Sequence, residues 1–132
     1  MAAWKNDELD KIAAADELEL ASTKRDGTLR RPVTIWVVRH GDDLYVRSWR
    51  GRTGTWFRSA QERHESHVSA GGVEKDVRFI EADDEDVIDA IDGEYRTKYH
   101  GYGARYVDPM VGPEARAATL KLVPRSTGGG SE

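Results

Sequence analysis

The sequence contains no cysteine, no long apolar run and only four histidines in 132 residues. Without cysteine the protein can form neither a disulfide nor a cysteine-ligated metal site, and thiolate chemistry is excluded. No stretch approaches the roughly 20 apolar residues that a membrane-spanning helix needs. The N-terminus lacks the basic start and apolar middle of a secretory signal. We therefore expect a cytoplasmic protein that has no membrane partner.

Familiar catalytic motifs are also missing. The sequence holds no G-x-S-x-G nucleophile elbow, no Walker loop and no dinucleotide-binding fingerprint. His64 and His67 miss the spacing of the two-histidine helical zinc motif, because they lie one residue too close together. On a strand, the same two side chains would face opposite sides of the sheet and could not share an ion. We therefore predict no metal site.

The size and composition suit one soluble domain. A chain of 132 residues with 38% hydrophobic and 33% charged residues can bury roughly two thirds of its unfolded surface around a single core. We predict that residues 1–125 form this domain. Residues 126–132 contain no apolar residue, so we predict a disordered C-terminal tail there.

Positive charge is concentrated in one part of an acidic chain. The net charge is -4 and the sequence pI is about 5.6, which argues against a nucleic-acid partner. Yet the segment from Thr23 to Arg63 carries ten of the 20 Lys and Arg residues and only four Asp or Glu. This local surplus of positive charge predicts that an anionic small molecule binds to this segment.

Hydrophobic periodicity predicts short strands connected mostly by hairpins, with a few helices. Strand alternation covers residues 17–22, 33–39, 44–48, 73–81 and 119–123. Helical patterns follow a cap at Asn6 or Asp7 and extend over residues 55–63 and 82–101. Asp26-Gly27 predicts a hairpin turn, and the Gly and Pro breaks in residues 102–113 predict a loop. Together these elements predict a small antiparallel β-barrel with peripheral helices.

The order of strands and turns resembles a known family. The residues from Leu18 to Trp36 follow the pattern L-x-L-x-x-x-K-R-D-G-x-x-R-x-P-V-x-I-W, and G-D-D-L-Y-V-R-S-W-R-G and W-F-R come after it. This order is similar to that of an uncharacterised bacterial family of split β-barrel proteins, which is related to the flavin-dependent and deazaflavin-dependent nitroreductases. The resemblance covers residues 18–80. It implies an α+β fold, namely a small antiparallel split β-barrel of the FMN-binding type with an N-terminal helix and one longer peripheral helix.

The resemblance also implies an FMN or deazaflavin coenzyme and an oxidoreductase that acts on a small organic molecule. The basic turn from Lys24 to Pro32 and the Gly-rich loop from Ser48 to Gly54 would supply guanidinium groups and backbone N–H groups to a phosphate. A tryptophan would lie against the ring system. The cofactor carries the redox chemistry, so no protein nucleophile is required. The candidate cofactor-binding residues are Lys24, Arg25, Arg30, Arg31, Ser48, Trp49, Arg50, Gly51, Arg52 and Trp56.

Other interpretations of the same residues remain open. A cofactor-free split barrel that binds or transforms a small anionic molecule would have its arginines paired with Asp26, Asp42, Asp43 or Glu62. A nucleic-acid or protein-binding module is a third possibility. Some residues also have a purely structural interpretation: Arg47 would make a cross-strand ion pair, Trp36 would belong to the core, and Tyr95 and Tyr99 would pack a helix on the sheet. The resemblance further implies that two copies form a homodimer around the site.

Overall fold

The computed structural model describes residues 4–22, 24, 26 and 28–125. The strands are β1 Leu18–Ser22, β2 Val33–Ile35, β3 Val37–His40, β4 Asp43–Arg47, β5 Glu65–Ala70, β6 Val73–Glu81 and β7 Thr119–Pro124. The helices are α1 Asn6–Ala14, α2 Thr55–Arg63, α3 Glu85–Tyr99, α4 Ala104–Met110 and α5 Pro113–Arg116. Short 3-10 turns occupy Gly51–Thr53 and His100–Tyr102.

The strands form one antiparallel sheet that nearly closes on itself. Their order is β2-β1-β5-β6-β7-β4-β3, so β2 and β3 stand at the two ends of the sheet. These two strands are nevertheless consecutive in the chain, and Trp36 alone separates them. A sheet whose first and last strands belong to the same chain segment has the topology of a barrel. The α+β split barrel predicted from the sequence is confirmed, with α1 as its N-terminal helix and α3 as its longer peripheral helix.

The barrel is closed at Trp36 by groups from α3. The indole ring of Trp36 stacks on Tyr99, with ring centroids 3.9 Å apart and an angle of 1° between the planes. The Val37 N–H donates to the Tyr99 hydroxyl at 3.1 Å, and Lys98 Nζ donates to the Val37 carbonyl oxygen at 2.6 Å.

The prediction of one strand over residues 33–39 is wrong, because β2 ends at Ile35 and β3 begins at Val37. The alternation of apolar residues reports burial on both faces, but it does not report that the pairing partner changes from β1 to β4.

Two apolar clusters occupy the two faces of β3 and β4. Val37, Leu44 and Val46 belong to the core inside the barrel, to which the other strands also contribute, β2 through the partly buried Ile35. Val38 and Tyr45 point out of the barrel and belong to a second cluster, the outer cluster, which lies under α3 and α4. Because successive residues of a strand face opposite sides, both faces of this hairpin must be apolar.

The long helix covers the outer cluster as its sequence pattern predicts. Ile88, Ile91, Tyr95 and Tyr99 recur at helical spacing along α3, and all four side chains are buried. Asp84 caps the helix, since its carboxylate accepts from the Asp86 N–H at 2.9 Å. The interpretation of Tyr95 and Tyr99 as helix-to-sheet packing residues is confirmed.

Some boundaries differ from the predictions. Helix α1 begins at Asn6, so Lys5 occupies the cap position instead of Asn6 or Asp7, and its N–H donates to the Glu8 carboxylate at 3.0 Å. The predicted loop at 102–113 is wrong, because α4 and α5 lie there. Burial of Val107 and Met110 stabilises α4 despite the Gly and Pro breaks.

Some predictions concern residues outside the described part of the chain. Thr23, Arg25 and Gly27 are among them, although β1 and β2 do form a hairpin around this turn. The predicted tail at 126–132 also lies outside it, and the single domain over residues 1–125 stays a prediction. Among the residues that are described, no helix has the length and apolar character needed to cross a membrane.

Candidate functional site

A hollow of about 670 Å³ opens beside the short strand β2 and the end of β4. Its volume falls in the range of roughly 300–1,000 Å³ typical of small-molecule sites. Four parts of the chain form its wall: β2 with Trp36, the end of β4 with the following turn, the start of α2, and α4. The lining residues are Val33, Thr34, Ile35, Trp36, Arg47, Ser48, Trp49, Arg50, Gly54, Trp56, Arg105, Tyr106, Pro109 and Met110.

The lining is apolar, aromatic and positively charged. It contains no Asp or Glu, although the chain as a whole carries 24 acidic residues. Within the described part of the chain, neither Arg50 nor Arg105 has a carboxylate within 4 Å. Flat surfaces come from four aromatic side chains, Trp36, Trp49, Trp56 and Tyr106. A wall of this composition suits a flat molecule with a negative charge.

The turn after β4 holds Trp49 and Arg50 at the hollow. Gly54 lies so close to this turn that a Cβ on it would stand 2.6 Å from the Ser48 Oγ, and Gly51 has a φ of 71°. Glycine permits both the close approach and the left-handed backbone. Trp49 is 58% exposed, and the Arg50 guanidinium lies 4.9 Å from the centroid of its ring. Such stacking keeps the cation on the aromatic face while leaving its N–H groups available.

Arg47 also reaches the hollow, but its guanidinium is fully engaged in the protein. It is buried and donates to the Asp92 carboxylate at 2.6 Å, the Met110 carbonyl at 2.9 Å and the Ile88 carbonyl at 2.9 Å. Its Nε donates to Thr119 Oγ1 at 2.8 Å. The prediction of a cross-strand ion pair for Arg47 is wrong, because its carboxylate partner lies on α3. Arg47 thus connects β4 to α3 and α4.

The structure brings four of the predicted site residues to the hollow: Ser48, Trp49, Arg50 and Trp56. Trp56 is partly buried, and it packs beside Phe57 and Phe79 at the edge of the barrel core. It therefore separates the hollow from the barrel interior. The interpretation of Trp36 as a core residue is incomplete, since its ring packs against the outer cluster and also lines the hollow.

The other predicted residues lie elsewhere. Arg52 donates to both Glu81 carboxylate oxygens, at 2.7 and 3.3 Å, and to the Ala117 carbonyl at 3.0 Å. The hydrogen bonds with Arg52 lower the pKa of Glu81. Gly51 is buried, and a Cβ on it would contact Glu114. The remaining predicted cations that the structure describes are Lys24, Arg30 and Arg31, which are exposed and do not line the hollow; Arg25 lies outside the described residues.

Sequence reasoning missed the wall that α4 contributes. Arg105 and Tyr106 face the hollow from this helix, while Val107 and Met110 of the same helix are buried. The three-residue spacing of Val107 and Met110 was the available signal, because it places both side chains on one helical face. The glycines and prolines around it favoured a loop instead.

The histidines form no metal site in the part of the chain that is described. No group of three His, Cys, Asp or Glu residues there could hold an ion. His64 ends α2 in a left-handed conformation with a φ of 58°, whereas His67 lies on β5. The ring of His67 contacts the carboxylates of Asp76 at 2.9 Å and Glu74 at 3.1 Å. These hydrogen bonds, with Asp76 contributing most, raise the pKa of His67.

Comparison with known proteins places the chain in a bacterial group. A family model described as "Uncharacterized protein conserved in bacteria (DUF2255)" matches residues 8–122. No curated protein matches the chain. The family match confirms the resemblance to an uncharacterised bacterial family that the order of turns and strands indicates.

Several solved structures share the fold. A conserved hypothetical protein from Mycobacterium tuberculosis is 12% identical with a TM-score of 0.70, over 95% of this chain and 83% of that one. A FAD-binding protein from Mesorhizobium loti is 15% identical with a TM-score of 0.61, over 94% and 92% of the two chains. An F420 reductase is 17% identical with a TM-score of 0.53, over 89% and 91%. At these identities the likeness shows the fold alone, and it confirms the flavin-type split barrel.

Proposed function

The chain belongs to the DUF2255 family of proteins conserved in bacteria, and we propose that it binds a flavin or deazaflavin cofactor in the hollow and acts as an oxidoreductase on a small organic molecule. The observation that carries this proposal is the composition of the lining. It combines four aromatic side chains and two arginines that lack a carboxylate partner among the described residues, and it contains no acidic side chain. The fold shared with a FAD-binding protein and an F420 reductase supports a cofactor of this class.

The residues present fit such a cofactor in a specific way. Trp49 and Trp56 offer flat surfaces to the ring system, and the exposed Arg50 guanidinium would hold a phosphate. When bound, the cofactor supplies the hydride or electron transfer. The chain itself binds and orients the ring, and the apolar wall excludes water from it.

A second candidate function is binding of a small anionic molecule without any redox cofactor. The observation that favours it is the engagement of Arg47 and Arg52, which are both in ion pairs, with Asp92 and Glu81. These pairs leave Arg50 and Arg105 as the cations at the hollow that have no acidic partner within the described residues. A phosphate cradle made by this chain alone is therefore smaller than the sequence predicts.

We also propose that two copies associate beside the hollow. Leu29, near β2, is 50% exposed, and Val33 of β2 is 37% exposed. An apolar surface of this kind next to a binding site is typical of an interface between subunits. A second copy could also bring the exposed Arg30 and Arg31 toward the hollow and enlarge the phosphate cradle.

The proposal is tested by titrating the protein with FMN, FAD and the deazaflavin coenzyme. We expect one of them to quench the tryptophan fluorescence, because three of the four tryptophans line the hollow. Arg50→Gln should weaken binding about tenfold, as expected for the loss of one charge-assisted hydrogen bond. The matched control is Arg58→Gln, which removes an exposed arginine of α2 that does not line the hollow. If none of the three cofactors binds, the redox function is wrong and the cofactor-free candidate replaces it.

A further inference from the structure

Helix α4 presents two unusually exposed groups to the hollow. Its buried side holds Val107 and Met110, and the Met110 carbonyl accepts a hydrogen bond from the buried Arg47 at 2.9 Å. The other side carries Arg105 and Tyr106, and Tyr106 is 57% exposed. The helix is therefore fixed in place, while its large aromatic and its cation remain uncovered.

The hollow contains two separate pairs of an arginine and an aromatic ring. Arg50 lies 4.9 Å from the Trp49 centroid, and Arg105 lies 6.0 Å from the Tyr106 centroid. The two pairs come from different chain segments, the turn after β4 and α4. The Trp49–Arg50 pair is the one assigned above to the phosphate of the cofactor, so the pair on α4 is available to a second molecule.

We propose that Arg105 and Tyr106 dock a planar organic acid, with the guanidinium binding its carboxylate and the phenol ring of Tyr106 packing on its flat body. The inference rests on the proposed function only insofar as this acid is the substrate of the redox reaction. Arg105 has no carboxylate within 4 Å in the described ranges 4–22, 24, 26 and 28–125. A guanidinium without such a partner binds a carboxylate through two parallel hydrogen bonds.

The surroundings of α4 limit what the acid looks like. Pro109 and Met110 continue the wall next to Tyr106, and Val33 and Ile35 also line the hollow. These apolar groups favour a ring over a sugar or a polyphosphate, which would need polar partners for many oxygens. Methionine adapts to rings of different outline. We therefore infer a substrate with one negative charge and an otherwise apolar, flat body.

A pair of ligands that differ in charge alone tests this inference. 4-Nitrobenzoate and 4-nitrobenzamide have the same ring and the same nitro group, but only the first is an anion. We expect the carboxylate to quench tryptophan fluorescence with at least about tenfold higher affinity, the change typical of a charge-assisted hydrogen bond. Arg105→Gln should bring the two affinities together. Tyr106→Leu should weaken both ligands to a similar extent, because the ring contact does not depend on charge.

Arg96→Gln provides the matched control. Arg96 is an exposed arginine of α3 and is not part of the lining, so its substitution should leave the preference for the carboxylate unchanged. If the wild-type protein binds both ligands equally, or if Arg105→Gln retains the preference, the inference is wrong.

The same titrations distinguish this inference from the proposed function. They are run with the protein alone and with a saturating amount of whichever cofactor binds. If the protein prefers the carboxylate but binds no cofactor, the acid site at Arg105 and Tyr106 is supported and the redox function is wrong. Cofactor binding without that preference would keep the redox function and overturn the acid site.

Discussion

The ring of Trp36 lies flat on the ring of Tyr99, with an angle of 1° between their planes, at the single residue that separates the two ends of the sheet. Trp36 lines the hollow and Tyr99 belongs to the buried face of α3. The contact therefore joins the closure of the barrel to the wall of the candidate site. Changes in α3 should reach the hollow through this pair.

The two tyrosines of α3 should respond differently to loss of their hydroxyl groups. The Tyr99 hydroxyl accepts from the Val37 N–H and lies 2.7 Å from the Asp16 carbonyl oxygen, so Tyr99→Phe should lower the free energy of unfolding by about 1–3 kcal/mol. The Tyr95 hydroxyl is buried and has no hydrogen-bond partner in the described structure. Tyr95→Phe should therefore be neutral or stabilising. Urea unfolding of both variants decides this, and an equal loss in both would contradict the difference in their hydrogen bonding.

Asp92 should be essential to stability. It is the partner of the buried Arg47 and also binds Arg116. Asp92→Asn leaves a buried guanidinium without its counter-charge, which should cost about 3–5 kcal/mol. In the exposed pair of Arg52 and Glu81, the substitution Glu81→Gln should cost only about 0–1 kcal/mol. Denaturant unfolding measures both, and a small loss for Asp92→Asn would show that the buried network is not needed.

Lys98 should make stability depend on pH in the alkaline range. Burial lowers the pKa of Lys98 to about 8, from 10.5 for an unperturbed lysine. Between these two values the unfolded chain binds more protons than the native protein, so the free energy of unfolding rises with pH. Below about pH 8 both states carry the proton and the cost of burying the charge is fully present.

The measurement for Lys98 is the difference in free energy of unfolding between wild type and Lys98→Met at several pH values. Wild type should gain on the variant as the pH rises from 8 to 10.5. The exposed Lys24→Met is the control, and its difference from wild type should not follow this curve. A flat difference for Lys98→Met would mean that the native amine titrates like a solvated one.

Two neighbouring glycines in the β5–β6 turn provide a test of close packing. Gly71 and Gly72 both have positive φ, at 58° and 85°, so alanine at either position should cost about 1–2 kcal/mol for the left-handed conformation. A Cβ at Gly71 would also collide with the Lys11 carbonyl of α1, whereas a Cβ at Gly72 meets nothing within 4 Å. Thermal unfolding should show a clearly larger loss for Gly71→Ala. Equal losses would mean that α1 moves away at little cost.

The proposed association of two copies is measured by sedimentation. The chain mass is 14.8 kDa, and we expect a species of twice this mass at micromolar concentration. Val33→Arg should shift the protein toward monomer, because it places a charge in the exposed apolar surface at β2, where Val33 also lines the hollow. Ile80→Arg, at another exposed apolar position of the sheet, should not. A wild-type protein that sediments only as monomer removes the proposal.

Part of the candidate site followed directly from the sequence. Trp49 and Arg50 follow a strand and stand directly before the segment Gly51-Arg52-Thr53-Gly54. This local pattern predicted an exposed basic and aromatic turn, which the structure places at the hollow. Local chemistry was enough here because a turn's conformation depends mainly on its own residues. Arg52, two positions further, has the same residue type but pairs with Glu81. No local signal distinguishes the two arginines, because Glu81 lies at the end of β6, far from both arginines in the sequence.

The sequence by itself determined the class of fold, because alternation, turn residues and the apolar stripe of α3 are local patterns that burial enforces. Only the tertiary structure decided that Trp36 interrupts a strand, that Arg47 forms a buried ion pair with Asp92, and that α4 brings Arg105 to the hollow. The physical reason is the same in each case. Each feature depends on which distant segment lies opposite a residue, and a contact between residues far apart in the chain leaves no periodic trace in either segment.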